Sequence, residues 1–394
     1  MIEKMRDCYV IFYQELRYIF CDGKGKAAYF LFGIPLLFTL LFGFTYSLDT
    51  LKKMPTVIYD QDQSVASRSL ILAFSDSERF DIVGVVDSEE EMEEYLNAEQ
   101  AMVAVSIPND FAKHIKSGIG TEVLLSVNAK NIMYPNSAMN FAKEIITTHN
   151  IGLGEKLVEA IGQVPNQALY TVAPIATRVR ILYNPTDSYT PFMLPGMATN
   201  GLQIGIILAI CFAIVREYKN QALWGSYSVS SIVAGKLLAY WLCALCAAVI
   251  SFSFYIEVFE VPFRGSLEEL LLIYAAFTFA VASLGMLFSA WAPNEIMPFH
   301  PSEFIYFMPA FLYSGYSWPN IAKNSFAYFY SLLLPMNYAA DTIRNLLLIG
   351  YAEELMQNVL VLAGGGIAIF LITVWSCNRR LKKIALIKVA EVSA

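Results

Sequence analysis

The sequence predicts an α-helical membrane protein. It has six transmembrane helices with N- and C-termini cytoplasmic, plus an α/β extracytoplasmic domain inserted between helices 1 and 2. Three observations predict this. First, 56% of the 394 residues are apolar and 15% are charged, against about 25% charged in an average soluble domain. Second, uncharged apolar runs fall at 27–48, 191–215, 237–256, 270–291, 304–318 and 356–377. About 20 helical residues cross a hydrocarbon core of roughly 30 Å, so five runs are long enough alone. The run at 304–318 has 15 residues and must borrow neighbours or pass through a protected interior. Third, residues 49–190 differ in character, with 19 acidic and 11 basic side chains and no cysteine.

Residues 1–26 read as a cytoplasmic amphipathic interfacial helix. Tyr9, Phe12, Tyr13, Leu16 and Phe20 fall at helical spacing, while Lys4, Arg6, Asp7 and Arg17 supply charge. Such a helix suits the inner membrane surface, and packing on other parts of the protein is an equal reading. The run at 27–48 follows five basic and four acidic residues and has no small-x-small site before Asp49. It therefore reads as a retained helix and not as a cleaved signal peptide.

The insert at 49–190 alternates strand and helix signals. Apolar strands are expected at 56–59, 80–86, 101–107 and 123–127. Helices are expected at 64–74 and 88–97, opened by Ser64 and Ser88 as caps, and over most of 131–161. Residues 178–183 alternate as a returning strand would. This order favours a small sheet with helices packed on it. An oxidising exterior selects for paired cysteines or none. All six cysteines fall outside the insert, and Cys243 and Cys246 read as small packing residues in an apolar run.

Orientation follows from Lys and Arg. Residues 1–26 carry five, 216–236 carries Arg216, Lys219 and Lys236, and the basic cytoplasmic tail at 378–394 carries five. The opposite short loops carry Arg264, Lys323 and Arg344. The positive-inside rule puts the first set in the cytoplasm. The loop at 292–303 should join it, but has no Lys or Arg.

Several chemistries lack support. There is no G-x-x-x-x-G-K-[ST], no H-E-x-x-H and no G-x-S-x-G. The three histidines are scattered, and Asp60 to Ser64 reads as a turn with a helix cap rather than a calcium loop. A net charge of −7 argues against a nucleic-acid partner. No catalytic, metal or cofactor-binding residue is assigned. The apolar runs contain no ionisable residue, which argues against a proton-coupled carrier. A pathway for apolar or amphipathic molecules would be lined by such residues as Phe192, Met193, Asn200, Gln203, Tyr306, Phe307 and Tyr313.

Three stretches carry a family resemblance. They are Val215 to Trp224 leading to Gly235-Lys236; Ser314 to Pro319; and Leu334 to Tyr338, followed by Asp341, Arg344 and Gly350. The insert adds Val57 to Asp60, Ser67-Arg68, Phe80 to Gly84, and Ile107-Pro108 with Phe111. Together they resemble the ABC-2 type exporter permeases, in the subgroup with a large extracytoplasmic domain between helices 1 and 2. The resemblance implies a permease with helices 2–6 over 191–377, in the cytoplasmic (inner) membrane of a bacterium. A separate P-loop ATPase subunit would bind ATP and Mg and drive export of a hydrophobic or amphipathic substrate. A second permease, identical or not, would complete the dimer, and a periplasmic or cell-wall adaptor is a further partner the family admits. The loop at 216–236 would couple to the ATPase, with Arg216, Glu217, Tyr218 and Lys219 facing it. The region at 319–355, with Pro335, Asp341 and Arg344, would form outer re-entrant helices. Gln221-Ala222 and Ser226 to Ser228 depart from the family pattern. The rival reading is a membrane-anchored receptor or scaffold acting through the insert.

Overall fold

A computed structural model describes residues 2–23, 25–47, 52–117, 121–129, 133–159, 183–184, 188–219, 221–293 and 309–393. The chain divides into two units, Thr50–Arg180 and Met1–Asp49 with Ile181–Ala394.

The smaller unit is α/β. Strand β1 (Met54–Asp60) leads to helix α3 (Val65–Ser75), β2 (Phe80–Val86), α4 (Glu89–Asn97), β3 (Val103–Ile107), α5 (Phe111–Lys116), β4 (Leu124–Val127) and α6 (Met133–Glu159). The sheet order is β2-β1-β3-β4, with β1 parallel to both neighbours and β4 antiparallel to β3. Side chains alternate across a strand, and burial follows that rule. Val103, Val105 and Ile107 pack with Leu70, Phe74, Ala138 and Ala142 on one face. Ala104 packs with Val57, Val86 and Met92 on the other. Ser64 and Ser88 cap α3 and α4 as expected, accepting from Ser67 N and Glu91 N. Asp60 is less solvated than its turn position suggested. It is buried, and it accepts from Asp62 N, Gln63 N and the Ser67 hydroxyl. The expected strand at 178–183 falls almost wholly outside the described residues.

The larger unit is helical. Helix α1 (Ile2–Arg17) precedes α2 (Lys26–Tyr46), which carries one π turn at Tyr29–Gly33. Then come α7 (Tyr189–Ile210), a 3-10 turn at Val215–Lys219, α8 (Gln221–Ser226), α9 (Val229–Glu257) and α10 (Leu267–Trp291). Short α11 (Ala310–Tyr313) and α12 (Ser325–Ser331) lead to α13 (Pro335–Leu348) and α14 (Leu355–Ser393). Among the described residues, five helices are long and apolar enough to cross a membrane: Lys26–Tyr46, Tyr189–Tyr218, Val229–Glu257, Leu267–Trp291 and Leu355–Ile384. The sixth expected span falls on 304–318, of which 304–308 lie outside the described residues.

Helices α7 and α10 form the centre. Within their most apolar windows 78% of each is buried, against 28% in α2 and 22% in α14. The outer pair presents Leu37, Leu41 and Phe44, and Leu360, Leu371 and Trp375. This is the pattern of a bundle whose solvent is lipid, where close packing replaces a hydrophobic drive between helices. Gly205 shows how close. A Cβ there would sit 2.6 Å from the Phe30 carbonyl oxygen of α2, so only glycine lets α2 and α7 meet.

One sequence expectation needs correcting. The apolar run at 237–256 was free of ionisable residues, but the helix that carries it begins at Val229. It therefore includes Lys236, which is 2% exposed. A run defined by its lack of charge stops at the first charge, whereas a helix does not.

Candidate coupling site

Where the chain leaves α7, the backbone groups freed from the helix must find new partners. Helix α7 is capped by Cys211, and the backbone N–H groups of Ile214 and Val215 donate to the buried Ser289 hydroxyl of α10 at 2.8 and 3.2 Å. The elbow that follows, residues 211–228, holds four side chains in place.

The first part is ionic. Arg216 Nη2 reaches both Glu15 oxygens at 2.6 and 2.5 Å, and its Nε reaches Glu217 Oε1 at 2.9 Å. Lys236 Nζ lies 2.5 Å from Glu15 Oε2 and 2.9 Å from Glu217 Oε1. The four charges thus close a ring in the order Glu15, Arg216, Glu217, Lys236, with signs alternating throughout. Side-chain exposure is 3% for Glu15 and Lys236, 16% for Arg216 and 13% for Glu217. The Arg216 guanidinium also lies 3.4 Å from the Tyr18 ring centroid, a cation–π contact.

The second part is aromatic. Tyr218 stacks on Trp224 with centroids 5.8 Å apart, and Trp224 Nε1 donates to the Glu217 carbonyl at 2.7 Å. The Tyr218 hydroxyl donates to the Ala290 carbonyl at the end of α10. Arg380 of α14 lies over the Tyr218 ring at 4.2 Å and donates to the Ala290 and Ala292 carbonyls. The elbow is therefore tied to α1 and α9 by charge, to α10 by the hydrogen bonds of Ile214, Val215 and Tyr218, and to α14 by the Arg380 cation–π contact.

Three of the four expected ATPase-facing residues turn inward. The charges of Arg216 and Glu217 are committed to Glu15 and Lys236, because a charge this far out of water must be paired. The Tyr218 side chain is directed at α10 and α14 as well. The Lys219 side chain is outside the described residues. Among the described residues of the elbow, Gly225 and Ser226 are exposed, and a Cβ on Gly225 would meet nothing within 4 Å.

At the other end of α7, Pro335 opens α13 at its first turn. Asp341 and Arg344, three residues apart on α13, form an ion pair. Arg344 also donates to the Tyr316 carbonyl and lies 4.7 Å from the Tyr316 ring and 5.2 Å from the Phe192 ring. Tyr313 meets Tyr330 edge-on at 5.0 Å, and its carbonyl accepts from Lys323. Burial pushes the Lys323 ammonium below the usual lysine range, and Asp341 opposes that shift. Of the expected pathway residues, Gln203 is 1% exposed and Asn200 half-buried. Tyr306 and Phe307 lie outside the described residues.

Sequence reasoning gave no site role to Glu15, Tyr18, Lys236, Ser289 or Arg380. A signal for Glu15 was present. Ile11, Glu15 and Ile19 recur at four-residue spacing, and both isoleucines are buried. An acid on the apolar stripe of an amphipathic helix needs a buried partner.

The model of the ABC-2 family transporter proteins matches residues 26–375. Two relatives from Escherichia coli (strain K12) are named as probable multidrug ABC transporter permeases. YbhR is 24% identical over 288 residues, covering 72% of this chain and 74% of the relative. YbhS is 22% identical over 353 residues, covering 88% and 91%. No solved structure matches the chain.

Proposed function

The chain belongs to the ABC-2 transporter family, and from that premise we propose that it is the permease subunit of an exporter powered by a separate ATPase. The observation that carries this reading is the elbow. A short segment beneath a candidate span is fastened to α1, α9, α10 and α14 together, so a push on its tip reaches four helices. An ATPase that binds ATP and Mg would supply that push as its two copies close. The tip at Gly225 is the docking point this reading assigns, with Arg216, Glu217 and Tyr218 acting behind it as the fastening.

The remaining roles follow in the same reading. The permease works as a homo- or heterodimer in the cytoplasmic membrane of a bacterium. Six helices cross the bilayer with both termini and the elbow in the cytoplasm, and the α/β unit lies outside, where an adaptor could meet it. The region with Pro335, Asp341 and Arg344 forms the outer re-entrant helices. The substrate is hydrophobic or amphipathic, in line with the multidrug label of YbhR and YbhS. The pathway draws on Asn200, Gln203, Tyr306, Phe307 and Tyr313. Helix α1 lies at the membrane surface. Met5, Tyr9 and Tyr13 are 67%, 67% and 64% exposed on the face away from Ile11, and amphipathic helices place such a face at the headgroup level.

Gentle purification from the native host, with mass spectrometry of what co-purifies, tests the reading. A stoichiometric P-loop ATPase is expected, and Gly225→Glu should release it while the chain stays folded. Recovery of the intact chain alone, under conditions that preserve known complexes, would favour a receptor acting through the α/β unit.

A further inference from the structure

We infer that Glu15 is a positioning residue that makes α1 and the elbow one mechanical body, and that the balance of the four-charge ring, not any single bridge, holds them together. The role in coupling rests on the proposed function; the ring itself does not.

Helix α1 is fastened to α9 by close contact. A Cβ on Gly235 would lie 2.7 Å from the Cys8 carbonyl oxygen and 2.8 Å from Ile11 Cβ, and the Ser231 hydroxyl donates to the Lys4 carbonyl. None of these contacts reaches the elbow. The elbow is reached by Arg216, whose Nη2 donates to both Glu15 oxygens. Glu15 therefore belongs to two joints at once. Its bond to Lys236 continues the α1–α9 contact, and its bonds to Arg216 reach the elbow.

The closed ring has a property that an isolated bridge lacks. Each charge has two neighbours of opposite sign, and the sum is zero. Removing one carboxylate leaves two cations and one anion out of water, which is costly. Removing one neighbouring pair of opposite sign leaves a neutral bridge. Exchanging a neighbouring pair does not restore the ring. A swap of Glu15 and Lys236 keeps their mutual attraction, but sets lysine against Arg216 and glutamate against Glu217. An isolated bridge between the same two residues would survive that swap.

Hydrogen exchange read by mass spectrometry on the full chain in lipid nanodiscs tests the ring. Glu15→Gln should speed exchange roughly tenfold or more in α1 and in 215–226 together, because local opening sets exchange. The α/β unit should not change. Glu15→Asp should recover much of the protection, and Glu15→Gln with Lys236→Met should be milder than Glu15→Gln alone. The swap Glu15→Lys with Lys236→Glu should be at least as loose as Glu15→Gln. Restored protection in the swap, or loosening of α1 with the elbow unchanged, would overturn the ring as the lock.

The coupling role is read in the complex with the co-purified ATPase, with and without ATP and vanadate. The wild type should show nucleotide-dependent exchange in both the elbow and α1. Glu15→Gln should keep the response in the elbow and lose it in α1. A wild-type α1 that ignores nucleotide while the elbow responds would make Glu15 a static anchor and overturn the coupling role. If the wild-type elbow also ignores nucleotide, the exporter reading fails, and the ring still stands or falls on the first experiment.

Discussion

Arg216 and Arg344 sit at the two ends of α7 and are built from the same parts, a carboxylate and an aromatic face. They do different work. Arg216 draws on Glu15 and Tyr18, about 200 positions away in the chain, and through the ring on Lys236. Arg344 pairs with Asp341 on its own helix and reaches outward only to Tyr316 and Phe192. Asp341 is 38% exposed, whereas Glu15 is 3% exposed. An arginine whose acid is local can let its neighbours move. One that also draws an acid from a distant helix ties that helix to its own segment. The elbow end is thus built to hold and the α13 end to yield.

Removing an acid at each end measures this contrast. Glu217→Gln should have the largest effect, a loss of about 3 kcal/mol, because it strips one partner from a buried set. Thermal unfolding of the purified chain reads it, and a near-neutral result would break the contrast. Arg344→Leu comes next, at about 1–2 kcal/mol, the sum of a cation–π contact and a hydrogen bond to a carbonyl. Asp341→Asn should cost less, about 0–1 kcal/mol, since a partly exposed pair within one helix is weak. A cost for Asp341→Asn equal to that of Glu217→Gln would mean that the two ends are equally rigid.

The smallest effect concerns pH. Lys323 has a depressed value in the folded chain, so between that value and the ordinary lysine value, about 10.4, the unfolded chain binds more protons. The Lys323 contribution to stability should therefore rise as pH climbs through that window, read as the difference between the wild type and Lys323→Met. A difference that falls over the same window would reverse the sign.

Much of the fold was legible in the sequence. Long apolar runs are visible because crossing a membrane requires them, and the strands and caps of the α/β unit declare themselves within a few residues. Ser64 and Ser88 needed only their own next three neighbours. The elbow was legible in place but not in direction. Charges beside an apolar run mark where a helix meets polar surroundings, and say nothing of which way they point. Arg216 and Glu217 turn inward because Glu15 and Lys236 are waiting there, and a pairing across 221 positions leaves no local trace. Only the intrusion of Glu15 between Ile11 and Ile19 hinted at it.

The closed ring also constrains how this chain can change over generations. Reversing one charge creates two repulsions, and reversing its neighbour to compensate still leaves two. Descendants of such a protein would keep all four charges or lose them as neighbouring pairs. The route between two working sequences then runs through neutral pairs, and a lineage that has shed one pair has no single-step way back.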